Sequence, residues 1–70
     1  MQRTSVTSAT IRSIGYDARI AILEVEFNSG DVYRYFSVPE HLHRNLMSSV
    51  SKGQFLNEHI RYNYRYQKIG

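Results

Sequence analysis

A chain of 70 residues makes one domain, and it buries only ~60% of the surface that its unfolded form exposes, so its core must be shallow. Apolar residues make up 41% of the sequence, which is typical of a folded chain rather than a disordered one. The absence of cysteine excludes a disulfide framework, a zinc ribbon, a thiol nucleophile and a redox motif.

The net charge of +3 is concentrated at the end of the chain. Residues 1–60 carry equal numbers of basic and acidic side chains, and the excess comes from Arg61, Arg65 and Lys68 in residues 61–70, which contain no acid. The N-terminal residues are polar, and no stretch approaches the ~20 apolar residues of a membrane span. We therefore predict a cytoplasmic monomer, a single domain over residues 1–70, with no membrane partner.

Three segments have the composition of strands. Thr10 to Tyr16, Ile20 to Phe27 and Val32 to Val38 are rich in β-branched, aromatic or other apolar residues. The connections Asp17 to Arg19 and Asn28 to Gly30 are short enough for hairpins, and Gly30 suits the left-handed position of a three-residue loop. The sequence predicts a three-stranded antiparallel β-meander.

The loop lengths set the predicted register. The loop from Asn28 to Gly30 places Glu24 opposite Arg34, and the same treatment of the first loop places Arg12 beside Glu24 and Ile14 beside Ile22. This predicts an exposed ladder of Arg12, Glu24 and Arg34 on one face, so Glu24→Gln should cost well under ~1 kcal/mol. Val25→Ala, in the core, should cost ~2 kcal/mol or more. The predicted core face comprises Ile11, Leu23, Val25, Phe27, Tyr33 and Tyr35.

The apolar period changes after Val38. Pro39 and Glu40 suit the first turn of a helix. An amphipathic helix of about three turns is predicted, and its apolar face comprises Leu42, Leu46, Met47 and Val50.

A second, shorter helix and an extended C-terminal segment are predicted to close the α+β domain. Ser51 fits an N-cap and Gln54 fits the reciprocal position of a capping box. The apolar stripe that follows comprises Phe55, Leu56, His59 and Ile60. Three tyrosines at a spacing of two then indicate an extended final segment rather than a helix.

A set of spaced residues runs through nearly the whole chain. It comprises Ser8, Ile11, Ile14, Gly15, Tyr16, Asp17, Leu23, Val25, Phe27, Gly30, Tyr33, Tyr35, Val38, Pro39, Leu46, Ser51 and Gly53. This pattern resembles the KTSC domain family, which is named for a domain at the C-terminus of some lysyl-tRNA synthetases and also occurs as free-standing bacterial and phage proteins. The resemblance implies a fold and a neighbouring enzyme that handles tRNA. Two positions depart from the family pattern: His43 stands where an aromatic residue is usual, and Arg65 stands where a Pro often separates the last two tyrosines.

Metal and catalytic chemistry are not indicated. His41 and His43 are two residues apart, which turns them ~200° from each other on a helix, so they cannot chelate together. Glu24 and Glu26 share a strand face, but arginine neighbours would keep Glu24 ionised. No nucleophile elbow or phosphate-binding loop is present. We predict no enzymatic activity, no catalytic residue, no metal and no cofactor.

Residues 61–68 are the one segment in which base stacking and phosphate contacts could coexist. The predicted nucleic-acid contacts are Arg61, Tyr62, Tyr64, Arg65, Tyr66 and Lys68. The alternative is a docking strand whose tyrosines pin the C-terminus to the domain while its arginines are solvated. If three phosphates are neutralised, log affinity should fall with log salt with a slope of about −2.

Tyr33 and Tyr35 are a possible aromatic platform for bases, as on the sheets of single-strand RNA binders. The alternative is that both pack under the helices with their hydroxyls at the rim. The sequence thus predicts a non-enzymatic binding module. Weak binding of RNA or tRNA is the leading function, and protein interaction or assembly is the alternative.

Overall fold

Strands rich in β-branched and aromatic residues form one antiparallel sheet. The computed structural model describes residues 1–70, and the bounds of its elements are β1 Thr4–Ser5, β2 Ile11–Asp17, β3 Ile22–Phe27, β4 Val32–Tyr35, α1 Glu40–Ser48, α2 Lys52–Leu56 and β5 Tyr66–Lys68. A single π-helical turn, Asn57–Arg61, continues α2. The strands are ordered β1-β2-β3-β4-β5. The predicted α+β class with two helices is confirmed, whereas the three-stranded meander is wrong.

The two additional strands lie at the edges of the sheet. In β1, Thr4 lies opposite Ile14 of β2, and in β5, Tyr66 lies opposite Tyr35 of β4. Both strands are short and exposed. An edge strand without a buried face has no apolar alternation, and for that reason the sequence pattern did not indicate pairing. The predicted extended C-terminal segment is therefore confirmed only from Tyr66, where the fifth strand begins; Tyr62 follows the π-helical turn with a ψ of 0° and is not extended.

The hairpin between β3 and β4 has the predicted register. Glu24 lies opposite Arg34 and Val25 opposite Tyr33. Gly30 has a φ of 98°, the left-handed value that a three-residue loop requires at this position. The Gly30 amide donates to the Phe27 carbonyl at 2.9 Å.

The hairpin between β2 and β3 differs from the prediction. Asp17 pairs with Ile22, so the turn spans residues 18–21, and Ala21 in it has a positive φ of 56°. Ile14 lies opposite Val25 rather than Ile22. An irregularity at Arg12 adds one residue to β2, which lets residues on both sides of it face the core. The slipped register also removes Arg12 from Glu24 and brings it within 3.7 Å of Glu26.

The helices cover one face of the sheet and enclose a single core. Its buried members are Ile11, Ile14, Leu23, Val25, Tyr35, Val38, Leu46, Leu56 and Ile60. Phe27 and Tyr33 are partly buried against this core. The predicted core face is confirmed, with Ile14 added to it by the irregularity in β2. None of the helices has the length and apolarity that crossing a membrane requires.

The junction of the helices explains two further differences. Because α1 ends at Ser48, Val50 leaves the apolar face on which it was predicted and is fully exposed. Ser51 caps α2 as predicted, and its side chain accepts a hydrogen bond from the Gln54 amide at 3.4 Å. The Gln54 side chain does not reach back, because its Nε2 donates to Glu58 Oε1 at 2.9 Å.

Candidate nucleic-acid interface

Three tyrosines form a floor on the helix-facing side of the sheet, across β4 and β5. Tyr33 and Tyr35 alternate along β4, and Tyr66 lies opposite Tyr35. The Tyr66 ring centroid is 5.6 Å from that of Tyr33 and 6.1 Å from that of Tyr35. Tyr35 is buried, Tyr33 is partly buried and Tyr66 is 57% exposed. This tyrosine floor therefore runs from the core out to solvent.

Tyr35 belongs to the core and not to an accessible platform. Burial raises the pKa of its hydroxyl, an effect that the nearby Arg61 charge opposes. Tyr33 is the member of the predicted pair that retains accessible surface. Of the two predictions for this pair, packing under the helices therefore applies to Tyr35. Tyr33 retains enough accessible surface to contact a ligand.

Arg61 and Tyr62 overhang the tyrosine floor from the end of the π-helical turn. Arg61 Nη1 donates to Asn57 Oδ1 at 3.3 Å, one turn earlier. Its guanidinium lies 5.5 Å from the centroid of the Tyr62 ring, a distance at which a cation is attracted to an aromatic face. Tyr62 is 79% exposed. The turn therefore holds one cation and one accessible ring above the sheet.

Two adjacent clefts lie between this overhang and the sheet. The larger has a volume of about 390 Å³, and its lining includes Phe27, Asp31, Tyr33, Tyr35 and Arg61. The smaller has a volume of about 160 Å³ and is lined by Tyr33, Tyr35, Arg61, Tyr62 and Tyr66. Tyr33, Tyr35 and Arg61 line both clefts, and Arg61 is the one cation in either. The larger volume lies within the range of sites that bind small ligands.

The ion pairs of the molecule leave Arg61 available. Every Asp and Glu side chain lies within 4 Å of a basic group, but neither Arg61 nor Arg65 takes part in any such pair. Lys68 Nζ lies 3.5 Å from Asp31 Oδ1. Of the three basic residues that give the chain its net positive charge, Arg61 and Arg65 are therefore without a carboxylate partner.

The structure separates the predicted contact residues into two groups. Tyr62 and Tyr66 join Arg61 at the clefts. Tyr64 is partly buried against the core. Arg65 alternates with Tyr66 and holds its guanidinium 5.2 Å from the centroid of the Phe36 ring, on the opposite face of the sheet. The clefts consequently combine part of the C-terminal segment with Tyr33.

The hairpin loop contributes cleft residues that the sequence analysis did not single out. Phe27 meets Tyr33 edge to face, with ring centroids 5.7 Å apart. Asn28 and Asp31 supply polar groups at the same end of the larger cleft. Phe27 was assigned to the core, and Asp31 was given no role, yet both flank the correctly predicted loop. In the sequence, the position of Phe27 on the same predicted strand face as Tyr33 was the signal that could have placed Phe27 at this site.

On the other face of the sheet, Glu24 is buried, so the predicted exposed ladder is wrong. Its carboxylate accepts hydrogen bonds from Arg3 Nη1 at 2.5 Å and Arg34 Nε at 2.8 Å. Burial acts to raise the pKa of Glu24, but the two arginines outweigh it and the pKa lies below its ordinary value. Arg3 reaches Glu24 across Gly15, where a Cβ would lie 2.7 Å from the Gln2 carbonyl oxygen.

The histidines lie apart from one another and from the clefts. His43 stacks on Tyr16 with ring centroids 4.7 Å apart, and His59 lies 4.5 Å from Phe55. His41 is exposed. No group of three or more histidine or carboxylate side chains is arranged to hold a metal ion.

The family profile of the KTSC domain matches residues 7–64, which is most of the chain. The chain belongs to the KTSC domain family. This confirms the resemblance seen in the spaced sequence pattern. A solved KTSC domain protein from Yersinia pestis has the same fold, with a TM-score of 0.95 and 45% sequence identity over 99% of this chain and 97% of that one.

Relatives of this KTSC domain occur both alone and within a larger enzyme. An uncharacterized protein from Stutzerimonas stutzeri is 41% identical over 70 residues, covering 99% of both chains. A lysine–tRNA ligase from Nostoc punctiforme is 33% identical over 61 residues, which are 87% of this chain. The chain spans only 11% of that ligase. The similarity to the ligase therefore concerns a small part of it.

Proposed function

We propose that this KTSC domain is a small non-enzymatic module that binds single-stranded RNA weakly at the two clefts. The observation that carries the proposal is the position of Arg61, a cation without a carboxylate partner that lines both clefts above the tyrosine floor. Aromatic rings accept stacked bases of any sequence, and an adjacent cation binds the phosphate between them. With a single cation in the clefts, the electrostatic contribution is small and the binding is weak.

The relatives support an RNA ligand. The lysine–tRNA ligase of Nostoc punctiforme contains a region similar to this chain, and the substrate in its name is a tRNA. Single-stranded loops and ends of RNA expose unstacked bases, and these are the parts that aromatic surfaces recognise. An unpaired segment of a tRNA is accordingly the proposed natural form of the ligand.

A protein-interaction or assembly module is the second candidate, and two observations favour it. Val50 is fully exposed between the helices. Strand β5 pairs with β4 on one side only, which leaves the backbone groups of its other edge free for a strand from a partner. Val50 lines neither cleft, whereas Tyr66 of β5 lines the smaller one, so Val50 is the position that separates the two functions by mapping.

The test is an NMR titration of the domain at low salt with a short single-stranded RNA and with tRNA. Shifts are expected for the amides of Tyr33, Arg61, Tyr62 and Tyr66, because these residues surround the clefts. A dilution-dependent change around Val50 or along β5, without an RNA response, would instead support self-association. No response to either RNA at low salt would refute the proposal.

A matched pair of variants tests whether RNA binds at the clefts. Tyr62 and Val50 are both exposed apolar side chains outside the core, so replacing either by Ala should leave the fold intact. Tyr62→Ala should weaken RNA binding by ~1 to 3 kcal/mol, the value of one stacked base. Val50→Ala should leave RNA binding unchanged. Equal effects of the two variants would contradict binding at the clefts.

A further inference from the structure

The larger cleft carries one charge of each sign. Among its lining residues only Asp31 and Arg61 are charged, whereas the smaller cleft is lined by Arg61 alone among charged residues. The cleft floor between them is aromatic, with Phe27 and Tyr33 meeting edge to face. A ligand that fills this cleft therefore needs an anionic part, a flat apolar body and hydrogen-bond donors.

The Asp31 carboxylate is held in place but is not saturated. The Asp31 carbonyl accepts from the Phe27 amide at 2.9 Å, which fixes its backbone in the hairpin. The carboxylate has one partner, Lys68 Nζ at 3.5 Å, and both side chains of this pair are about half exposed. Such an exposed pair is weak and leaves carboxylate lone pairs free to accept further hydrogen bonds.

Asn28 adds a second acceptor at the same end of the cleft. Its Nδ2 donates to the carbonyls of Ser8 and Ala9, at 3.2 Å and 3.0 Å. Both amide hydrogens are therefore used within the protein, and Oδ1 is the atom of this side chain that remains unpaired. The β3–β4 hairpin thus contributes acceptors to the cleft lining, while the π-helical turn contributes the Arg61 guanidinium.

We infer that the larger cleft selects an unstacked guanine in single-stranded RNA, an inference that rests on the proposed function and specifies its ligand. The Watson–Crick edge of guanine carries two adjacent donors, N1–H and the 2-amino group, and these match the two oxygens of the Asp31 carboxylate. Adenine and cytosine place an acceptor next to their donor, and uracil flanks its single N–H with two carbonyls, which a carboxylate repels. The base lies on the aromatic floor, and Arg61 binds a neighbouring phosphate.

The experiment measures the affinity of the intact domain for five labelled oligoribonucleotides at low salt by fluorescence anisotropy. They are U5 and four variants in which the central base is G, A, C or inosine. The guanine oligonucleotide should bind about tenfold more tightly than U5, the size of discrimination expected from one bidentate base contact. Inosine lacks the 2-amino group and should lose most of this preference.

Asp31→Asn tests the carboxylate, and Asp17→Asn is its control. Asp17 is also a carboxylate next to a hairpin turn, is paired with a basic residue, Arg19, and lies outside the clefts. The two variants therefore change the charge equally. Asp31→Asn should abolish the guanine preference while U5 binding persists, and Asp17→Asn should retain the preference.

The outcomes separate the inference from the function on which it rests. If all five oligonucleotides bind alike, or if Asp31→Asn keeps the guanine preference, the inference is overturned while RNA binding at the clefts stands. If none of them binds, the proposed function and the inference both fail. A circular dichroism spectrum of each variant, matching that of the parent, verifies that the fold is intact.

Discussion

Glu24 is the residue that ties the beginning of the chain to the centre of the sheet. Its side chain is 4% exposed and is shared by Arg3 of the N-terminal segment and Arg34 of β4. The space for Arg3 exists because Gly15, directly opposite Glu24, has no side chain. A buried carboxylate with two arginine partners is costly to disrupt, since removing its charge leaves both partners uncompensated.

Glu24→Gln is therefore expected to destabilise the domain by about 2 to 3 kcal/mol, since two charge-assisted hydrogen bonds lose their charge. The free energy of unfolding from urea titration measures this. Glu58→Gln is the control, because Glu58 is 56% exposed and its hydrogen bond from Gln54 can be kept by the amide. It should change stability by less than ~0.5 kcal/mol. Equal effects would show that the burial of Glu24 does not matter.

His43 gives the domain an expected pH dependence. Burial lowers the pKa of His43 below 6.5, although the charge of Glu40 opposes the shift. The folded state therefore binds a proton less readily than the unfolded state, so stability is complete above about pH 6.5 and falls as the pH drops through the lowered pKa. The melting temperature should therefore decrease as the pH is lowered from 7.5 to 5.

His43→Phe should flatten this dependence between pH 7.5 and 5, because phenylalanine can stack on Tyr16 without titrating. His41→Gln is the matched control, since His41 is on the same helix but exposed. It should keep the parental pH dependence. A profile for His43→Phe as steep as that of the parent would assign the dependence to groups other than His43.

At the scale of elements, α2 approaches β2 through Gly53. A Cβ added at Gly53 would collide with Thr10 Oγ1, just before β2 begins. Alanine is the better helix former, by up to ~1 kcal/mol. The collision outweighs this gain, and Gly53→Ala should destabilise the domain by about 1 to 3 kcal/mol, as overpacking does.

Thr10→Ala should rescue Gly53→Ala, because it removes the oxygen that the new methyl group meets. A double-mutant cycle, measured by urea unfolding, quantifies the coupling between the two positions. The double variant should be more stable than Gly53→Ala alone. Additive losses would mean that α2 moves away from β2 instead of meeting Thr10.

The sequence correctly predicted those elements whose geometry depends on residues that are close together in the chain. The loop of Asn28 to Gly30 fixed the register of β3 and β4, since only one loop length pairs their side chains sensibly. The turn before β3 carries no such glycine, and Ala21 takes the left-handed φ there. Nothing in the sequence distinguishes Ala21 from its neighbours for this role, so the register of β2 was wrong by three residues at Ile14.

Long-range contacts account for the other differences. The burial of Glu24 depends on Arg3, which is 21 positions away in the chain and follows no periodic pattern. The edge strands β1 and β5 are exposed and lack apolar alternation. The C-terminal segment was correctly predicted as extended only from Tyr66. Its aromatic and basic residues were noted, but the clefts also need Phe27 and Asp31 from the β3–β4 hairpin. Tertiary pairing, and not the local pattern, assembles this candidate site.

For the whole molecule, the strand pairing of the sheet determines which basic side chains lie on the same face and can contact one ligand. The net charge of +3 comes from Arg61, Arg65 and Lys68 in the sequence, but the fold distributes them differently. Lys68 lies beside Asp31, Arg61 overhangs the clefts, and Arg65 lies over Phe36 on the opposite face. The proposed RNA site therefore uses one face of the C-terminal segment rather than the segment as a whole.

Arg61→Ala and Arg65→Ala form a matched pair that tests this division, since each removes one arginine without a carboxylate partner. The affinity for U5 is measured at several salt concentrations for the parent and both variants. Arg61→Ala should weaken binding and make the slope of log affinity against log salt shallower by about 0.7, the value of one phosphate contact on a single strand. Arg65→Ala should leave the slope unchanged, because its guanidinium faces away from the clefts. If both variants reduce the slope equally, the RNA wraps around β5 and contacts both faces of the C-terminal segment, and the cleft alone is not the site.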